Sequence, residues 1–119
     1  MKALLASFGY AFAGIGYAWR TQRNFKIHAG ITTAVILMGL WLGLSFNQWA
    51  VIAITAGVVL HAELMNTALE AVIDKVAPDV HPLAKVAKDC AAGAVLIVAM
   101  AAVVVGLLVL GPLLLARVL

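Results

Sequence analysis

At 119 residues the chain is short enough for one domain, yet 66% of it is hydrophobic and 11% charged, with a mean hydropathy of +1.12. Soluble proteins carry about 25% charged residues, and a soluble domain this small has too much surface to hide so much apolar area. Composition excludes a water-soluble globule, leaves no reason to expect a nucleic-acid partner, and points to an integral membrane protein.

In chain order, Leu4, Phe8, Phe12, Ile15 and Trp19 come first, recurring at spacings of three and four on one helical stripe. Arg20, Arg23 and Lys26 gather at the far end, which suits an amphipathic helix over about 1–27 lying in the membrane interface. Packing of the stripe on the other helices is an equal reading and does not exclude the first, and Gly9, Gly14 and Gly16 weaken helix propensity. The segment lacks the uninterrupted apolar run of a cleavable signal. Next, "AGITTAVILMGLWLGLSF" (29–46) is uncharged, "QWAVIAITAGVVLHA" runs from 48 into an acidic stretch, and "AAGAVLIVAMAAVVVGLLVLGPLLLA" (91–116) is again uncharged. A bilayer core of roughly 30 Å needs about 20 helical residues. Three spans result, at about 29–46, 48–74 and 85–116, the second long enough only if it continues through Glu63. The alternating ten-residue segments of a barrel are absent. The expected fold class is an all-α membrane protein: three transmembrane helices plus an N-terminal amphipathic surface helix.

Seven of the eight Lys and Arg residues fall on one side of this arrangement: Lys2, Arg20, Arg23 and Lys26 before the first span, and Lys75, Lys85 and Lys88 between the second and third. The positive-inside rule makes the N-terminus and the loop around 75–88 cytoplasmic. The short "SFNQW" hairpin and the C-terminus with Arg117 are then outside, and Trp41 and Trp49 sit as interfacial aromatics. "VAPDVHP" (76–82) breaks the helix between spans two and three. The single Cys90 can form no internal disulfide and reads as a small packing residue.

All five acids, Glu63, Glu70, Asp74, Asp79 and Asp89, lie within one 27-residue window. With span two helical to residue 74, Glu63 lies roughly 22 Å along from Gln48, at or within the inner edge of the hydrocarbon. An acid at that depth costs about 2.5–3.5 kcal/mol on insertion scales and marks a functional site by default. At about 100° per residue, Glu63, Glu70 and Asp74 share one face with Asn66 close by. One reading makes this a solvated helix end with Glu63 paired to a lysine. The sharper one is a divalent-cation site: Mg²⁺ takes oxygen ligands, commonly one or two carboxylates plus phosphate oxygens and water. With Lys85 and Lys88 arriving from the neighbouring loop beside Asp89, a metal-bound polyphosphate fits better than a bare cation. Generic nucleotide and zinc motifs are absent. His28, His61 and His81 are scattered: His61 points away from the stripe and reads as a packing or hairpin-facing residue, while the loop residue His81 can approach the site.

"AELMNTALEAVID" followed by "HPLAKVAKDCAAGAVLI", together with "SFGYAFAGIGYAW" and "RNFKIH", resembles the small prokaryotic integral-membrane lipid kinases, the diacylglycerol kinase and undecaprenol kinase family. The resemblance covers nearly the whole chain and implies a single membrane-embedded lipid kinase domain over 1–119, in a three-span homotrimer of the bacterial inner membrane. It implies transfer of the γ-phosphate of MgATP to the hydroxyl of a lipid alcohol on the cytoplasmic side, at sites between subunits. By position Glu63 matches the general base and Asn66 its partner. Glu70 matches a metal-binding carboxylate, Asp74, Lys88 and Asp89 match polar residues around the nucleotide, and His81 matches a recurrent loop histidine. The family usually has a glutamate, a second metal ligand, three residues before the phenylalanine of "NFKIH"; here the residue is Gln22. "RNFKIH" looks more like the undecaprenol branch, though both lipids present a primary hydroxyl and a greasy body. The competing classes are a cation- or proton-coupled transport subunit using Glu63, which the one-sided placement of the acids disfavours, and a structural membrane protein built on small-residue packing.

Overall fold

Side-chain caps start the last two helices, and an extended residue separates the first two. The computed structural model describes residues 1–119 as four helices and no strand: α1 (Lys2–Thr21), α2 (Arg23–Leu42), α3 (Phe46–Val76) and α4 (Pro82–Val118). The first helix ends at Thr21, short of the expected residue 27, because Gln22 is extended (φ −111°, ψ 108°). Its N–H donates to the Ala18 carbonyl at 2.8 Å, closing α1, and its own carbonyl accepts from Lys26 to open α2. One residue is thus the C-cap of one helix and the N-cap of the next, so its side chain projects from a corner.

The α2–α3 hairpin is set by a glycine and a capping box. Gly43 is left-handed (φ 75°, ψ 58°), and the N–H groups of Gly43 and Leu44 both donate to the Gly39 carbonyl, which stops α2 at Leu42. Ser45 then starts α3: its hydroxyl accepts from the Gln48 N–H at 3.3 Å, while the Gln48 side chain accepts from the Ser45 N–H at 2.9 Å. Between α3 and α4 the break falls at 77–81, with Pro82 in the first turn of α4, where its missing N–H is harmless. Pro112 does not end α4, which runs on to Val118, as transmembrane helices permit.

Helices α2, α3 and α4 are long and apolar enough to cross a membrane. At about 1.5 Å per residue, α3 and α4 are roughly 45 and 55 Å long, longer than a hydrocarbon core of roughly 30 Å. Both therefore project beyond it. Only 12 of 119 residues are buried, so most apolar side chains face outward. The packed core is small and lies at the hairpin end, where Leu42, Leu44, Ile52 and Leu110 meet beside Trp49 and Leu113. Arg117 stacks over Trp41 at 4.9 Å from the ring centroid, which brings the end of α4 to the same end as the hairpin. The α1 stripe is largely open: Leu4, Phe8, Phe12, Ile15 and Trp19 are all exposed, with Ile15 lining a gap shared with Leu64 and Ala68 of α3, and Ala18 is the buried residue of that helix. An apolar stripe left open on a helix with basic residues at its end suits the membrane interface.

Gly43→Ala forces a Cβ into the left-handed region at a cost of about 1–2 kcal/mol and lowers the thermal denaturation midpoint in detergent micelles. Gly9→Ala, in open helical space, does not. An unchanged midpoint for Gly43→Ala would contradict this account of the hairpin.

Candidate functional site

The end of the molecule opposite the hairpin is polar, and α3 is its spine. Glu63 is 1% exposed. One turn on, the Thr67 hydroxyl donates to the Glu63 backbone carbonyl at 2.8 Å, leaving the carboxylate to find partners on another helix. It finds His28 of α2, whose Nε2 lies 3.2 Å from Oε1. That separation is within ion-pair reach but off the line of a hydrogen bond, so Oε1 is buried without one.

Further out, Glu70 is held from two sides. The Asn66 Nδ2 donates to Oε1 at 3.3 Å and the Gln22 Nε2 donates to Oε2 at 3.2 Å. The first contact is one helical turn along α3, and the second spans 48 residues and depends on the corner at Gln22. Asn66 Oδ1 is buried with no partner, an acceptor facing inward with nothing to accept from. Beyond Glu70, Lys88 of α4 donates to Asp74 Oδ1 at 2.5 Å. Both side chains are substantially exposed, so solvent screens the pair and it adds little to stability.

The structure thus gathers Gln22, Glu63, Asn66, Glu70, Asp74 and Lys88 along one line from the buried level of α3 to its exposed end. Asp89 and His81 are not tied into this line within the chain. Asp89 pairs with Lys85 at 2.5 Å on an exposed face of α4, four residues away on the same helix. His81 is exposed and is the N-cap of α4, its Nδ1 accepting from the Leu83 N–H at 3.1 Å.

Several readings from sequence change. Lys85 and Lys88 stand on the first two turns of α4 rather than in a loop, because Pro82 starts that helix early. Glu63 is paired with His28 rather than with a lysine. His61 is exposed on the single chain, not packed between its helices. His28 itself was missed. The usable signal was depth: a carboxylate buried in a membrane helix needs a partner at its own level, and His28 opens the first span on the same side.

The donor set suits a hard cation shared with a ligand. Glu70 offers a carboxylate, Asn66 an orphaned amide oxygen, and Gln22 an amide oxygen if its side chain turns over, since the two ends of the amide are nearly interchangeable in shape. No group of three His, Cys, Asp or Glu residues is arranged to enclose a metal, so such a cation would draw its remaining ligands from water or from phosphate oxygens. Below the polar line an apolar groove of about 420 Å³ runs between α2, α3 and α4, from His28 past Val59 and Val103 to Leu114.

Residues 9–110 match the model of the prokaryotic diacylglycerol kinase family. Among relatives, a diacylglycerol kinase of Synechocystis sp. is 55% identical over 93% of this chain, which spans 65% of that protein's length. An undecaprenol kinase of Bacillus subtilis is 43% identical over 94% of this chain and 91% of its own length. A diacylglycerol kinase of Escherichia coli is 27% identical over 85% of this chain and 83% of its own. With the family match covering most of the chain and the helices and polar line described above, the chain belongs to the prokaryotic diacylglycerol kinase family.

Proposed function

We propose that this chain is a lipid kinase that moves the γ-phosphate of MgATP to the hydroxyl of a membrane lipid alcohol at the cytoplasmic face of a bacterial inner membrane. The observation that carries the reading is the order of groups along α3: a buried carboxylate whose partner His28 lines an apolar groove, then a carboxylate cradled by amides, then an aspartate paired with a lysine of α4. The relatives' names, diacylglycerol kinase and undecaprenol kinase, support the same chemistry.

Each residue has a task in this scheme. Glu63 accepts the hydroxyl proton as the lipid oxygen bonds to the γ-phosphorus, while the bond from that phosphorus to the β–γ bridging oxygen breaks and ADP leaves. A base must lie within about 2.6–3.2 Å of the proton it takes, and a lipid with its tail in the groove presents its hydroxyl at that level. Asn66 stands beside Glu63 and Glu70 and holds the latter. Glu70, with Asn66 and Gln22, binds the magnesium ion. When bound, Mg²⁺ neutralises developing charge on the phosphates. Lys88 and Asp74 hold the nucleotide's outer end, with Asp89 and His81 flanking it. Positioning and electrostatics supply most of the effect in phosphoryl transfer, so a handful of polar residues is sufficient. The N-terminus lies in the cytoplasm and the C-terminus outside, by the distribution of Lys and Arg. The many outward apolar side chains of α2–α4 are covered by membrane lipids and by two further copies in a homotrimer. Of the two lipids, "RNFKIH" and the Bacillus subtilis relative favour undecaprenol; the Synechocystis relative keeps diacylglycerol in the comparison.

Transfer of labelled phosphate from MgATP in mixed micelles tests the proposal. Label is expected in undecaprenol over diacylglycerol, and Glu63→Gln is expected to lower the rate about 10²–10⁴-fold, the usual contribution of a general base. No label in either lipid from folded protein with excess magnesium would overturn the kinase reading. Gln22→Glu places a second negative oxygen ligand beside Glu70 and should lower the magnesium concentration for half-maximal activity several-fold, since ligand charge tunes affinity for hard cations. An unchanged magnesium titration would remove Gln22 from the metal site.

A further inference from the structure

The carboxylate of Glu63 is nearly inaccessible, and no lysine or arginine pairs with it. The group across from it is the imidazole of His28, with Nε2 3.2 Å from Oε1. His28 stands in the second turn of α2, six residues beyond the Gln22 corner, so the bend that delivers Gln22 to Glu70 also fixes the start of the helix that carries His28 to Glu63. The imidazole is 19% exposed on its side chain, and it also lines the apolar groove beside Ile31 and Val59. One ring therefore touches both the buried carboxylate and the channel open to a lipid tail.

A glutamate on its own is poorly aimed. Rotation about its terminal bond is broad and roughly two-fold, so an unpartnered carboxylate points its oxygens in many directions. Proton abstraction tolerates little of this, because a misplacement of about 1 Å can cost roughly 10²-fold in rate. Nucleophile–base pairs in other enzymes meet the difficulty with a third group that orients the base. Thr67 does not serve here, since its hydroxyl is bonded to the backbone carbonyl of Glu63 and not to the carboxylate. Asn66 makes no hydrogen bond to the Glu63 carboxylate either; its amide nitrogen is turned to Glu70.

We propose that His28 is the positioning residue of Glu63: its Nε2–H donates to Oε1 and leaves Oε2 as the oxygen that meets the lipid hydroxyl beside the end of the groove that His28 lines. A small turn of the ring about its broad outer torsion brings the 3.2 Å contact into hydrogen-bond alignment. The role needs an N–H donor at that point and does not need the imidazole to be charged. His28 acts through Glu63 and forms no bond to the nucleotide. The proposal rests on the reading of Glu63 as the base.

The test is steady-state transfer from MgATP in mixed micelles with the lipid that accepts label. Full-length wild type, His28→Ala, His28→Gln, Glu63→Gln and the His28→Ala/Glu63→Gln double variant are compared. His28→Ala is expected to lower kcat about 10- to 100-fold with KM for MgATP unchanged. His28→Gln, which restores a neutral N–H donor at similar reach, is expected to recover most of kcat. The double variant is expected to be no slower than Glu63→Gln alone, because two residues acting as a unit are not additive. Glu63→Gln slow but His28→Ala at wild-type kcat would overturn the proposal and leave the base reading standing. Glu63→Gln at wild-type kcat would remove the base reading, and this proposal with it. A double variant slower than Glu63→Gln by the full His28→Ala factor would show independent action and overturn the proposal. If His28→Ala does not fold, His28→Gln decides: folded and near wild-type supports a donor, folded and inactive overturns it.

Discussion

A carboxylate inside an apolar helix is the constraint on which the rest of this structure turns. Glu63 is the most deeply buried polar side chain in the chain, and leaving it without compensation at membrane depth costs several kcal/mol by the rules that govern buried ions. The fold answers by ending α1 at Thr21, turning at Gln22 and starting α2 so that His28 arrives opposite. It also extends α3 to 31 residues, beyond what a span requires, so the acids that follow climb into water. Stability and function divide along that helix. The hairpin end is tied by Gly43, the Ser45–Gln48 box and a small apolar core, while the other end carries buried polar atoms with few partners.

That division accounts for how little of the chain is buried. A monomer with 12 buried residues is not a finished globule; its outward faces belong to lipid and, under the proposed function, to neighbouring copies. Asp89 and His81 lie apart from the line through Glu70 and Asp74 within one chain. Gln22 is the other distinctive feature. A glutamate at that corner would face Glu70 across a short gap and need a cation between them. The amide instead donates directly to Glu70, which ties the α1–α2 corner to α3.

Much of the architecture was legible in the sequence, because membrane helices announce themselves by length and composition. The three spans, the stripe of α1, the break before Pro82 and the shared face of Glu63, Asn66, Glu70 and Asp74 all follow from hydropathy and a period of 3.6. Nothing in "RTQRN" marks a break, so the α1 boundary at Thr21 is not legible in the sequence; it rests on the extended backbone at Gln22. Proline reads as a stop, yet Pro82 occupies the first turn of α4, so that helix begins before the expected residue 85 and carries Lys85 and Lys88. His28 is legible only through the depth of Glu63 and not through any pattern of its own. Its partner lies 35 residues away on another helix, and a contact between helices leaves no periodic trace in one sequence.

The central claim is a division of labour between two carboxylates one to two turns apart: Glu70 holds the metal–nucleotide and Glu63 handles the proton. Electron paramagnetic resonance of Mn²⁺ in place of Mg²⁺, titrated with ATP into the full-length protein in micelles, separates the two. The account predicts a protein-bound Mn²⁺–nucleotide signal that Glu70→Gln abolishes and Glu63→Gln leaves intact. Loss of the signal in Glu63→Gln, or its survival in Glu70→Gln, would contradict it.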